Sequence, residues 1–213
     1  MTSCLDIDLA RGTLAEERPI AIPHRDGYLT GSLAIAPRAD ALVLVAEDRG
    51  CSRHSSSERA LTAGLRRAGF STVLLDLLLP REAGDAERAA WTKLGIEELA
   101  YRIDSARDWI RGRPDLGSLP LVLFGHGAGA AAALVSAAAR PAGVRAIVVR
   151  DGAPDLAGRA LATVRAPTLF LAGSGSDSRA AATWLRARVA LPDASGTRGK
   201  RDGLEAPRRR VGG

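Results

Sequence analysis

The stretch from residue 121 to residue 139 constrains the fold of this 213-residue chain more than any other. It opens with the apolar run Leu-Val-Leu-Phe, which is typical of a buried strand. Glycines follow at every second position, namely Gly125, Gly127 and Gly129, and an alanine-rich segment with high helix propensity comes next. A strand, a sharp turn and a helix in direct succession predict an α/β unit. Its turn lies at the carboxyl end of the strand, where sites in such sheets are built.

Two kinds of site use this strand–turn–helix shape. A nucleophile elbow, G-x-S-x-G, places the attacking side chain at the centre of the turn, and that position is Gly127 here. A dinucleotide-binding turn, G-x-G-x-x-G/A, is matched by Gly125, Gly127 and Ala130, with Asp151 after the next predicted strand as a candidate ribose ligand. Nucleotide binding stays open as an alternative, although such a turn normally belongs to the first βαβ unit and this one comes late.

The rest of the chain predicts a mostly parallel, doubly wound sheet with an N-terminal antiparallel hairpin. Strand-like apolar runs alternate with helical patterns from residue 41 onward. The predicted strands are residues 41–46, 70–75, 121–124, 144–149 and 167–172, and the predicted helices are residues 58–68, 96–111 and 179–189 together with the alanine-rich segment. Two earlier runs, residues 18–22 and 28–36, flank a turn signal and predict the hairpin.

Composition narrows the classes of function. The net charge is +6, but aromatic residues make up 4% of the chain and the arginines are scattered, so we expect no specific nucleic-acid partner. The sequence contains no apolar run long enough to span a membrane, no basic leader and two cysteines, which together predict a cytoplasmic protein without a disulfide framework. We expect a lead-in at residues 1–16, one domain at residues 17–192 and a disordered basic tail at residues 193–213.

Several local strings point to one family. They lie at residues 42–45, 50–55, 74–78, 124–132, 150–158 and 164–169. Together with the order of elements, they resemble the dienelactone-hydrolase-like branch of the α/β-hydrolases, and in particular small bacterial hydrolases that are sometimes joined to a phosphoribosyltransferase domain. The resemblance implies an α/β-hydrolase fold and ester or lactone hydrolysis by a nucleophile–acid–histidine triad, with neither cofactor nor metal.

The chain departs from that family where the triad belongs. Gly127 stands at the nucleophile position, where the family has serine or cysteine. The triad histidine should follow the elbow, but none of the three histidines does, and the basic tail occupies that segment, so the C-terminal end is truncated or altered. Glu47 and Asp48 replace the His-Gly pair of the oxyanion loop, although an oxyanion needs donors. Asp177, the candidate acid, comes one position later than the family pattern.

Other side chains could still do chemistry at this edge. His126, beside the vacant nucleophile position, is a candidate acid or base, and the backbone N–H of Ala128 is a candidate anion donor. Glu82 matches an acidic family position and is predicted to have a surface or salt-bridged role. The remaining candidates lie on the loop after the first parallel strand: Cys51 and Ser52 as substitute nucleophiles, and Arg53 and His54 as an anion-binding pair.

The sequence therefore predicts a family member that has lost the triad. It would persist as a pseudoenzyme that binds a small molecule or serves as a scaffold domain, or it would run non-triad chemistry through His126, Glu47 or Asp48. The alternatives are an active ester or lactone hydrolase that attacks through Cys51 or Ser52, and a nucleotide-binding module at the glycine turn. The oligomeric state stays open.

Overall fold

A computed structural model describes residues 16–47, 55–82, 94–171, 181 and 183–186. Seven strands form one sheet in the order β1-β2-β4-β3-β5-β6-β7. Their bounds are β1 Arg18–His24, β2 Gly27–Ala34, β3 Leu42–Glu47, β4 Ser71–Asp76, β5 Leu121–His126, β6 Val144–Arg150 and β7 Thr168–Leu171. Strands β3 to β7 pair in parallel, whereas β1 pairs antiparallel with β2 and β2 antiparallel with β4. The predicted fold class, a mostly parallel sheet with an N-terminal antiparallel hairpin, is confirmed.

The hairpin closes over a two-residue turn. His24 pairs with Gly27 across it, and Gly27 has a φ of +133°, which favours glycine. Strand β5 extends two residues beyond the predicted run, because Gly125 and His126 continue the pairing with β6. His126 is therefore the last residue of a strand rather than part of a loop.

Helices cover both faces of the sheet. They are α1 Ser56–Arg67, α2 Ile96–Arg111 and α3 Ala128–Ala139; Pro154–Thr163 forms a 3₁₀ segment, and Ala181 and residues 183–186 are helical. Helices α2 and α3 pack on one face, while α1 and the helical residues Ala181 and Leu185 pack on the other. Every residue of β3 and β4 is buried, as expected for parallel strands that are covered on both sides.

No helix within the described residues is long and apolar enough to cross a membrane. The lead-in up to residue 15 and the basic tail lie outside the described residues, so their predicted disorder stays a prediction.

Candidate functional site

The turn between β5 and α3 has the backbone of an elbow. Gly127 stands between the two elements with φ 56° and ψ −128°, a conformation that L side chains rarely adopt. The neighbouring glycines are required by packing. A Cβ on Gly125 would lie 2.4 Å from the Cα of Ala130, and one on Gly152 would lie 2.5 Å from the Ala130 Cβ. This close packing accounts for Gly125 without a nucleotide, and nucleotide binding stays an untested alternative.

Four charged or titratable side chains meet beside this elbow, and we call them the edge cluster: Glu47, Glu58, His126 and Arg150. His126 Nδ1 lies 3.4 Å from Glu47 Oε2. Arg150 donates from Nη2 to Glu58 Oε1 at 2.5 Å, and the same Nη2 lies 3.9 Å from Glu47 Oε1. Glu47 and Glu58 are buried, whereas about a quarter of the His126 side chain is exposed.

Parallel pairing brings the cluster together. Glu47, His126 and Arg150 are the last residues of β3, β5 and β6, and these three strands are neighbours in the sheet. The register pairs Ala46 with Gly125 and His126 with Arg150, so the strand ends are level. Glu58 joins them from the first turn of α1. The carboxyl end of the sheet therefore holds two buried carboxylates, one guanidinium and one imidazole.

Burial sets the electrostatics of the edge cluster. Burial, together with the Glu58 carboxylate, raises the pKa of Glu47 to about 7, although the hydrogen bond with His126 acts in the opposite direction. The same hydrogen bond raises the pKa of His126 above its usual value, against burial and the nearby Arg150 charge. The Glu47 carboxyl is therefore much less acidic than a carboxyl exposed to solvent.

Two oxygen atoms of the edge cluster lack a hydrogen-bond partner in the part of the chain that the structure describes. They are Glu47 Oε1 and Glu58 Oε2, and both are buried. A buried carboxylate oxygen without a hydrogen bond is unfavourable and is uncommon in native proteins. When Glu47 is protonated, its hydrogen bond with the Glu58 carboxylate can satisfy such an oxygen, and when both groups are ionised a donor or a cation can bind there.

The predicted site residues fall into three groups. The first group comes together at the elbow and consists of Gly125, His126, Gly127, Ala128 and Glu47. Ala128 is buried at the start of α3. Glu82 and Asp151 lie apart from the cluster's contacts and are described below. Asp48, Cys51, Ser52, Arg53, His54 and Asp177 lie outside the described residues, so their roles stay predictions.

Glu82 lies in the loop after β4, where hydrogen bonds from a side chain and from the backbone fix its carboxylate. Arg102 donates to both of its carboxylate oxygens, at 2.6 and 3.0 Å, and the backbone N–H of Leu79 donates at 2.9 Å. Asp151 follows β6 with a φ of +43°, and its backbone N–H donates to the Leu171 carbonyl at 3.1 Å. Both residues shape loops at the edge of the sheet.

Sequence reasoning missed Glu58 and Arg150 as site residues. Glu58 was assigned to the start of a helix, and Arg150 lay just past a predicted strand. A charged residue directly after a buried parallel strand was the signal for Arg150. The signal for Glu58 was weaker: it is an acidic residue in the first turn of a helix that follows an edge loop. Acidic residues are common at this position simply because they interact favourably with the helix dipole.

Solved structures show where the chain belongs. No family model matches it. The crystal structure of dienelactone hydrolase from Anabaena variabilis is 36% identical, covers 83% of this chain and 81% of its own, and superposes with a TM-score of 0.70. The chain belongs to the dienelactone hydrolase family. A dienelactone hydrolase-like promiscuous phosphotriesterase from metagenomic libraries has the same fold at 17% identity, with a TM-score of 0.63 over 83% of this chain and 78% of that one.

Curated relatives of this dienelactone hydrolase family member are much longer. Two proteins, from the CDC 1551 and H37Rv strains of Mycobacterium tuberculosis, are 41% identical over 186 residues, and their names assign them provisionally to the phosphoribosyl transferases. The match covers 87% of this chain and 41% of each relative, so the chain spans about two fifths of their length. The match agrees with the resemblance to hydrolases that are sometimes joined to such a domain.

Proposed function

We propose that this dienelactone hydrolase family member does not use the covalent triad of its family and binds a small molecule at the carboxyl edge of its sheet. The observation that carries the proposal is Gly127, which occupies the nucleophile position in an elbow conformation but has no side chain to attack a carbonyl carbon. Glu47 adds support, because a buried carboxylate at the oxyanion position opposes the negative charge that ester hydrolysis develops.

The edge cluster also indicates which small molecules fit. Glu47 Oε1 and Glu58 Oε2 are buried acceptors without donors in the described residues, and Arg150 already contacts Glu58. A ligand that donates hydrogen bonds, such as an amide or an amine, would satisfy these oxygens, whereas a carboxylic acid of the same size would be repelled. The proposed site therefore favours donors over anions.

A fluorophosphonate probe tests the loss of triad chemistry. We expect no covalent adduct on the natural chain by intact mass, and none on Gly127→Ala, with a serine esterase of known activity treated alongside as a positive control. Gly127→Ser is the matched variant, because it differs from Gly127→Ala only by the hydroxyl group. An adduct in this variant alone would show that the elbow is silenced by one residue.

An adduct on the natural chain would overturn the proposal. Peptide mapping would then locate the activated nucleophile, with Cys51 and Ser52 as the residues to inspect first. Ester turnover abolished by Cys51→Ala or Ser52→Ala would establish the alternative of an active hydrolase with a substitute nucleophile.

Thermal shifts test the binding half of the proposal. In the presence of a chelator, we expect small amides and amines at saturating concentration to raise the melting temperature, because a ligand that binds the native state stabilises it, and matched carboxylic acids to leave it unchanged. Glu58→Gln is the test variant and should reduce the shift in melting temperature, because it removes one of the carboxylates that the ligand would contact. Equal shifts from acids and amides would contradict the proposed preference.

A further inference from the structure

Two groups of histidine and carboxylate side chains in the described residues bring their ligand atoms within 4.8 Å of one another. The first consists of Glu47, Glu58 and His126 from the edge cluster. The second consists of His24 and Asp26 from the β1–β2 hairpin and Glu98 from the first turn of α2. The two groups contain the same kinds of side chain, but they differ in how many of their carboxylate oxygens already accept a hydrogen bond from an arginine.

Arginines already neutralise the second group. Arg25 donates to Glu98 Oε2 and to Asp26 Oδ2, the latter at 3.3 Å, and Arg102 donates to Glu98 Oε1 at 3.3 Å. Each carboxylate of that group therefore has a cationic partner. A metal ion there would have to displace guanidinium groups.

The edge cluster is less completely neutralised. Arg150 contacts Glu58 Oε1 at 2.5 Å, but it lies 3.9 Å from Glu47 Oε1, beyond hydrogen-bonding distance. Glu47 Oε1 and Glu58 Oε2 have no partner in the described residues, although Glu47 is 2% exposed and Glu58 3% exposed. Within the described ranges, the edge cluster therefore keeps two buried carboxylate oxygens that accept no hydrogen bond.

We propose that Glu47, Glu58 and His126 bind one divalent transition-metal cation, for which Zn²⁺ is the best fit. Two carboxylates and one imidazole form the mixed oxygen and nitrogen donor set that Zn²⁺ accepts, whereas Ca²⁺ and Mg²⁺ prefer oxygen ligands alone. Arg150 can keep its bond to Glu58 Oε1 while Oε2 binds the ion. The His126 side chain is partly exposed, so an ion can reach the cluster from solvent on that side.

The spacing of the ligand atoms is compatible with such an ion. Zn²⁺ binds carboxylate oxygens and imidazole nitrogens at about 2.0–2.2 Å, so two of its ligand atoms lie no more than roughly 4.4 Å apart. The three side chains lie within 4.8 Å, so small rotations bring them to the ion. The sequence-based expectation of no metal was made without Glu58. This inference goes beyond the proposed function and is tested by metal binding alone.

The test uses the full chain without a histidine tag, stripped with EDTA and titrated with Zn²⁺ by calorimetry and with Co²⁺ by visible absorption. We expect one ion per chain. His126→Asn and the isosteric Glu58→Gln should each weaken Zn²⁺ binding by at least about 100-fold, because each removes a direct ligand. His24→Asn, in the second group, should change the affinity by less than about threefold, since even a lost outer-shell partner costs about tenfold.

Histidine NMR adds a measurement of Zn²⁺ binding on the natural chain itself. The natural chain has three histidines, so its imidazole spectrum is small enough to assign with His126→Asn and His24→Asn. Zn²⁺ should shift the His126 ring signals and leave those of His24 in place. Absence of stoichiometric binding, unchanged binding in both edge-cluster variants, or a shift of His24 alone would overturn the proposal. None of these outcomes bears on fluorophosphonate labelling, so a failed metal site and a failed proposed function can be told apart.

Discussion

A methyl group added to Gly129 would lie 2.3 Å from the carbonyl oxygen of Ala46, the residue before Glu47 in β3. Helix α3 approaches the sheet this closely because its first turns consist of glycine and alanine, and nearly all of its residues are buried. Gly127 serves a different purpose, since its positive φ forms the elbow itself. At the scale of the residue, small side chains therefore set the distance between the elbow and the edge cluster.

Gly129→Ala should consequently destabilise the fold. We expect the free energy of unfolding to fall by about 2–3 kcal/mol, because the new methyl group meets rigid backbone rather than a side chain that can move. Gly112→Ala is the matched control: Gly112 has a φ of −73°, and its added Cβ would make ordinary contacts at 3.5 Å. Urea denaturation of both variants measures the difference, and equal stabilities would show that α3 does not need this close approach.

At the scale of the element, α2 anchors the loop that follows β4. Arg102, which is 1% exposed, points from α2 to that loop and donates to the Leu77 carbonyl at 2.8 Å as well as to Glu82. Burial alone would raise the pKa of Glu82, but the hydrogen bonds from Arg102 and the Leu79 N–H outweigh burial, so the pKa is lowered. A helix thereby holds an edge loop of the sheet through one arginine.

The contact between Arg102 and Glu82 makes the free energy of unfolding depend on pH in the acidic range. Because the pKa of Glu82 is lower in the folded state than in the unfolded state, its contribution is present above the unfolded pKa of about 4.3 and is lost as the pH falls through the folded pKa. Glu82→Gln should cost about 2 kcal/mol at pH 7 and should flatten the decline in stability below about pH 4. The exposed Glu97→Gln on the same helix is the control. Urea midpoints across this pH range that are parallel for the natural chain and Glu82→Gln would refute the prediction.

At the scale of the whole molecule, the edge cluster joins distant parts of the chain. His126 and Glu47 are 79 residues apart, and Arg150 and Glu58 are 92 residues apart. The β3–β5–β6 neighbourhood in the sheet brings three of these residues together, and the packing of α1 on the sheet supplies the fourth. The cluster is therefore complete only when the sheet and α1 have assembled.

A double-mutant cycle tests this long-range pair in metal-free buffer. Arg150→Met should lower the free energy of unfolding by about 3 kcal/mol, because it removes the guanidinium that donates to the buried Glu58 carboxylate. Combining it with Glu58→Gln should cost at least about 1 kcal/mol less than the sum of the single variants. The exposed pair Arg113 and Asp115 is the control, for which the coupling should stay below about 1 kcal/mol. Additive effects in the Arg150–Glu58 cycle would show that the two side chains do not stabilise each other.

Local patterns were sufficient for most of the fold. Helix α2 has the predicted bounds, since its apolar side chains recur at helical intervals and glycine follows it. The candidate site was predicted less completely. His126 was expected to stand in a turn and lies at a strand end, and Glu58 was not considered at all. Periodicity reports which face of an element is buried, but it does not report which charged residues of different elements meet.

The sequence by itself determined the succession of strands and helices along the chain, the glycine elbow and the absence of a nucleophile at Gly127. Each of these depends on residues that are neighbours in the chain or on one side chain at one position. Only the tertiary structure decided that Glu47 contacts His126, that Arg150 contacts Glu58, and that two carboxylate oxygens remain without a partner in the described residues. The physical reason is that strand order, register and helix packing together determine which buried charges come within bonding distance.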